Sequence, residues 1–163
     1  MIKQFVTEEA CLKCQGCCRF IQEDSSWVPS LFNEEIKHFL NQGAAAALIT
    51  PHKKLKIVPF PKQKVCLCSL FNYEENKCKV YASRPFECQL YPFLLCAKGK
   101  DVYLAADSNC PFIQEKNKTR EFKQYAQYLV SLLQNPPYAE LLRNNPHIMQ
   151  SYTEVCEIQA LTL

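Results

Sequence analysis

The sequence predicts a single α+β domain: a small, loop-rich cysteine-cluster region organised by metal, with a C-terminal amphipathic helix packed on it. Three observations carry that expectation. A chain of 163 residues fits one ordinary domain with a core of its own. Eleven of those residues are cysteine, and ten of the eleven fall between residues 11 and 110, where regular periodicity is sparse. Beyond them, Phe122, Tyr125, Ala126, Leu129, Val130 and Leu133 recur at i, i+3, i+4, i+7, i+8 and i+11, the single apolar stripe of an amphipathic helix between Asn117 and Asn135. That stripe is expected to pack against the cysteine region.

The remaining elements follow from punctuation along the chain. Asn33 with Glu34 and Glu35 opens a short helix that ends before Gly43. Pro51, Pro59 and Pro61 leave a loop with one short strand at Leu55–Val58. Pro85 suits the first position of a helix and Pro92 forbids its continuation, so about two turns fit between them. Val102–Ala106 is a strand candidate. Pro136 and Pro137 stop the long helix, and Tyr138–Arg143 adds a further turn or two. For the last fifteen residues, Ile148, Tyr152 and Val155 fit a helix, while the β-branched content around Thr153 and Val155 fits a strand.

Composition removes several function classes. Only three glycines are present, so no dinucleotide or Walker-type phosphate loop can be built. The start of the chain has no apolar h-region, and the longest uncharged apolar run, Ala44 to Ile49, is too short to span a bilayer. An odd cysteine count would leave one thiol unpaired in a disulfide framework. A reducing, cytoplasmic setting is therefore expected, and there dense cysteines point to metal or thiol chemistry. No Gly-x-Ser-x-Gly, His-Glu-x-x-His or nucleotide loop marks an enzyme.

The cysteine spacing is specific. Cys11, Cys14, Cys17 and Cys18 form Cys-x-x-Cys-x-x-Cys-Cys, in which each two-residue gap lets sulfurs converge on one ion and Gly16 eases the second turn. This is close to the ferredoxin run but departs from it, because Cys18 follows Cys17 directly and the Cys-Pro pair is distant, at Cys110-Pro111. Neighbouring side chains point different ways, so Cys17 and Cys18 are expected to serve two metals. Cys88 falls in the first turn of the short helix after Pro85. The helix dipole and Arg84 would there favour its thiolate, as suits a metal ligand or an activated nucleophile.

Together with Cys68-x-x-Phe71 and the run Cys78-x-Val80-Tyr81-x-x-Arg84-Pro85-x-x-Cys88-x-x-Tyr91-Pro92-Phe93, this pattern resembles the CxxCxxCC cysteine-cluster (YkgJ-like) family of zinc- or iron-chelating proteins. The resemblance covers roughly residues 5–113, leaving 114–163 as a mainly helical extension. It implies eight metal ligands: Cys11, Cys14, Cys17, Cys18, Cys68, Cys78, Cys88 and Cys110. Eight thiolates suit two four-cysteine sites, for zinc, iron or iron–sulfur clusters alike, or one bridged binuclear centre. The resemblance extends to flagellin lysine-N-methylases, which makes an iron–sulfur enzyme the alternative function. Cys66 lies outside the pattern, two residues from Cys68, and could substitute for it or join it. Cys96 and Cys156 are expected to be small buried hydrophobes.

Other polar groups have blander readings. Six lysines and no acid lie between Ile36 and Tyr73. With Phe60 and Phe71 to stack on bases, Lys53, Lys54 and Lys56 outline a nucleic-acid alternative. The pI of about 8.3 is only mildly basic, so a solvated lysine face is the simpler expectation. His38, His52 and His147 are isolated from the cysteines, and only His52 is a candidate auxiliary ligand. Glu87 and Asp107, beside Cys88 and Cys110, read most simply as surface carboxylates.

Overall fold

The structure is a computed structural model that describes residues 2–14, 16–41 and 46–163. The side chains of Leu12, Lys13 and Cys17 lie outside that description. Helices and antiparallel sheets coexist, so the fold class is α+β. The chain forms two compact units: Thr7–Gln89, and Met1–Val6 with Leu90–Leu163.

The Thr7–Gln89 unit holds many short elements. In chain order they are α1 (Glu8–Cys14), β1 (Arg19–Phe20), α2 (Asn33–Asn41), β2 (Ile57–Phe60), β3 (Val65–Cys68), β4 (Phe71–Asn72), β5 (Lys77–Cys78) and α3 (Phe86–Leu90), the last ending at the unit's boundary. β3 is the centre of an antiparallel sheet ordered β1-β3-β2, with Phe20 opposite Cys66 on one side and Ile57 opposite Cys68 on the other. The strand expected at Leu55–Val58 is shifted to Ile57–Phe60 and includes Pro59. β2 tolerates that proline because it is an edge strand. β4 and β5 form a small hairpin. The Asn72 carboxamide oxygen accepts from Glu74 N–H at 3.0 Å, and Asn76 takes a left-handed φ of 51°, which closes the turn and delivers Cys78 opposite Phe71. The core of this unit gathers Phe20, Leu31, Phe39, Leu55, Ile57, Leu67 and Phe71 with Cys66 and Cys68.

The second unit is built on a sheet ordered β6-β7-β8, from β6 (Phe93–Lys98), β7 (Asp101–Asp107) and β8 (Val155–Leu161). Gly99, at φ +65°, turns β6 into β7, so a side chain there would be strained. Leu104, Ala105 and Ala106 are fully buried on the central strand. The helices are α4 (Pro111–Lys116), α5 (Arg120–Leu133) and α6 (Pro136–Asn144). The expected stripe of α5 is buried in full. Its partners are β7, β8 and α6, together with Phe93 and Phe5 of the same unit, Phe93 stacking on Phe122 at 5.4 Å and Phe5 on Tyr125 at 4.9 Å. The C-terminal residues resolve as the strand β8 rather than a helix, because β7 offers them a ladder from Val102 to Asp107.

Thr119 caps α5, its hydroxyl accepting from Phe122 N–H at 3.2 Å. Thr119→Ala is expected to lower stability by about 1 kcal/mol, read from urea unfolding of the whole chain. Among the described residues no helix is long and apolar enough to cross a membrane.

Candidate metal centre

The first cysteine run is more helical than its spacing alone suggested. Thr7 starts α1, with its hydroxyl accepting from Ala10 N–H at 3.3 Å and its carbonyl from Cys11 N–H at 2.9 Å. Glu8 and Glu9 occupy the first turn, where acids are favourable. Cys11 and Cys14 therefore stand one turn apart on one side of α1, Cys11 half-buried and Cys14 exposed. A 3-10 turn at Gly16–Cys18 follows. The Cys14 sulfur lies 3.4 Å from where a β-carbon at Gly16 would sit, so the glycine leaves that side of the sulfur uncovered. The side chain of Cys17, an expected ligand, lies outside the described residues.

The other thiols of this unit come from the sheet, the hairpin and α3. Cys68 is buried on β3, and burial pushes its thiol up to about 11. The neighbouring Cys78 thiol adds to that rise, while the Leu70 and Phe71 N–H groups and Lys79 oppose it. Cys78 is likewise raised, first by burial and then by Cys11, against the pull of Val80 N–H and the Arg84 guanidinium. Cys11, Cys78 and Cys68 thus lie in a chain of mutual electrostatic reach. Cys88 occupies the first turn of α3 as expected. Cys18, Cys78 and Cys88 all pack against the core that contains Cys66 and Cys68. Arg84 sits 4.1 Å from the centroid of the Tyr81 ring, and its charge reaches Cys78.

The remaining cysteines belong to the other unit. Cys110 is buried at the residue preceding α4. Cys96 is buried on β6, as expected. Cys156 is not: it is exposed, because β8 is an edge strand whose residues before Leu161 are open or only partly covered. Ten cysteines are described, and none of the ten is joined in a disulfide.

Two carboxylates brace this part of the chain. Glu35 accepts from Phe32 N–H at 2.8 Å, the reach-back of a capping box, and from Phe86 N–H at 2.6 Å, so one α2 side chain holds the first residue of α3. Glu87 is drawn inward instead of lying on the surface. It accepts from Ser30 N–H at 2.5 Å. Burial pushes its carboxyl up to about 8, with the Ser30 N–H and Lys54 pulling back and Glu35 pushing further. Asp107 is also buried, accepting from the Tyr91 hydroxyl at 2.8 Å. From the sequence Glu35 is only a first-turn acid of α2; with Phe32 rather than Ser or Thr at the cap, no capping-box signal marks it.

The lysine-rich stretch is partly structural. Lys54 is half-buried, donates to Ser26 O at 3.3 Å and faces Glu87. Phe71 is buried in the core and is not open to stack on a base, while half-buried Phe60 packs on Tyr73 at 4.6 Å. His52 is exposed.

Among the described residues, no three His, Cys, Asp or Glu side chains stand in an arrangement that would hold a metal ion. The donor set nevertheless fits a thiophilic metal, because soft sulfur donors from four separate segments are gathered in one unit without disulfides among them. Residues 10–157 match the model of the CxxCxxCC family, whose description reads "Putative zinc- or iron-chelating domain". No solved structure matches the chain.

Proposed function

The chain belongs to the CxxCxxCC family, and on that premise we propose that it binds zinc or iron through cysteine thiolates of the Thr7–Gln89 unit. The observation that supports the proposal is the packing of Cys18, Cys78 and Cys88 against the one hydrophobic core that also includes Cys66 and Cys68. Cys11, Cys14, Cys17, Cys18, Cys68, Cys78 and Cys88 are the proposed ligands within the unit. Cys110, the eighth implied by the family pattern, lies in the other unit and is tested separately by substitution.

A bound zinc or iron would cross-link short elements that have little else to rigidify them. The chain's own contribution is to hold the thiols together and give up their protons. Burial keeps Cys68 and Cys78 protonated near neutral pH, so ligation releases protons and tightens as pH rises. Thiolate ligands suit zinc and iron–sulfur clusters equally, for one or two sites. A reducing cytoplasm is the compartment that would preserve such thiols.

Protein purified without oxygen is expected to carry zinc or iron by elemental analysis. A colourless sample would assign zinc and a brown one an iron–sulfur centre. Metal-free protein with disulfides by mass spectrometry would overturn the reading.

A further inference from the structure

One face of the β1-β3-β2 sheet carries the thiols of β3, and the other carries a cation with no acidic partner. Arg19 and Val58 both pair with Leu67, one from each side, and Phe60 pairs with Val65. Residues opposite in an antiparallel pair share a face, and side chains alternate along each strand. Cys66 and Cys68 therefore project to the side opposite Arg19, Val58 and Phe60. The Arg19 guanidinium lies 5.7 Å from the centroid of the Phe71 ring and 5.9 Å from that of Tyr73. It donates to the Gln63 carboxamide, which in turn donates to the Tyr73 hydroxyl at 3.2 Å. The group is thus held in place, yet its Nε is covered and has no acceptor. Among the described residues no carboxylate forms an ion pair with it. A fixed guanidinium with N–H groups to spare is suited to a carboxylate.

Apolar ground lies beside it. Four large hydrophobic side chains are exposed among the described residues, and three of them belong here. Val58 is 40% exposed, Tyr73 45%, and Ile21, directly after β1, 90%. Such side chains are ordinary when scattered singly, but a group of them around a cation marks a docking surface. The charges at its margin select the partner. Lys62 and Lys64 flank Gln63 and are exposed, as is Lys56, two residues before Val58. Glu74 and Glu75 follow Tyr73, and Glu23 and Asp24 lie just beyond Ile21, all four exposed. A nucleic-acid backbone crossing this face would run onto those acids, and the Phe60 and Tyr73 rings already pack on each other. A short segment with one carboxylate and one apolar side chain meets Arg19 and the lysines without reaching them.

We propose that this face docks a protein segment whose acidic residue pairs with Arg19 while a neighbouring apolar side chain covers Val58 and Tyr73. The proposal does not rest on the metal-binding reading.

The test pans the full chain against a phage-displayed library of random short peptides. Those retained are expected to combine Asp or Glu with Leu, Ile, Phe or Tyr. The tightest of them, dye-labelled and followed by fluorescence polarisation, should bind Arg19→Gln and Val58→Glu at least about tenfold more weakly than the unsubstituted chain. Lys100→Gln, at an exposed residue of the other unit, should bind it as the unsubstituted chain does. Val58→Glu alters an exposed edge position, so it carries the test even where Arg19→Gln fails to fold. Charge exchange separates pairing from mere packing: Arg19→Glu should accept the same peptide with Lys in place of its acid. Retention of no peptide, or of peptides without acidic residues, would overturn the proposal, as would equal binding by the variants. Tighter binding of a single-stranded oligonucleotide, lost in Arg19→Gln, would give the face to nucleic acid instead. A dimer in sedimentation that Val58→Glu dissolves would give it to a second copy of the chain, and either result overturns the proposal.

Discussion

Replacing Cys78 by serine is expected to strip the chain of bound metal, with an affinity loss of more than about 100-fold, beyond that typical of supporting residues around a metal. Cys78 lies within electrostatic reach of both Cys11 of α1 and Cys68 of β3, and it packs on the core that contains Cys66 and Cys68. Serine preserves size and hydrogen bonding but is a hard, weakly acidic donor that zinc and iron accept poorly in place of thiolate. The matched control is Cys156→Ser, on the exposed edge strand of the other unit, which should leave metal content unchanged. Metal analysis of the two proteins purified side by side checks the prediction. Retention by Cys78→Ser with loss by Cys156→Ser would reverse the assignment of sites.

The second large effect is expected at Glu35. Its two carboxyl oxygens accept from Phe32 N–H and Phe86 N–H, and both of those residues are buried. Alanine would leave two covered donors without an acceptor, at about 1–3 kcal/mol each, so about 2–6 kcal/mol in total. That is a large fraction of the stability of an ordinary domain. Glutamine offers one acceptor oxygen where two are needed, so Glu35→Gln should fall between alanine and the unsubstituted chain. Urea unfolding followed by circular dichroism orders the three. Because the same carboxyl holds the first residue of α3, Glu35→Ala should also weaken metal retention through Cys88, three residues into that segment. A cost below about 0.5 kcal/mol, the level of an ordinary surface change, would show that the bracing is not used.

Features encoded locally were legible in the sequence, and features encoded by distant pairing were not. The stripe of α5 repeats at helical spacing within fourteen residues, and all six of its predicted residues are buried. β7 was visible in the β-branched and aromatic start of Val102–Ala106. Its partner β6 was missed, because Phe93–Cys96 is a continuous apolar run that periodicity cannot assign to strand or helix. β1, β4 and β5 are two residues each, too short for any period to show. The cysteine pattern pointed to metal chemistry, but the pairing of β3 with β1 and β2, which covers Cys66 and Cys68, emerges only from the fold. Glu35 reaches Phe86 across fifty-one positions, and no local rule joins them. The exposure of Cys156 follows from the edge position of β8, which the amino-acid order does not announce.

Residues 7–89 interrupt the sequence of the other unit, which has a consequence for the order of events during synthesis. Phe5 belongs with Phe93, Phe112, Phe122 and Tyr125, so the first segment of the chain waits for partners made long after it. Residues 7–89 are contiguous, and every strand of their sheet is synthesised before β6 begins at Phe93. Contiguous, shorter-range contacts form sooner, and segments fold as units from the N-terminal side. The thiol-bearing unit is therefore free to fold before β8, at Val155–Leu161, completes the other sheet. Pre-folding of that unit then shortens the effective loop that Phe5 must close, which lowers the entropy cost of the last step.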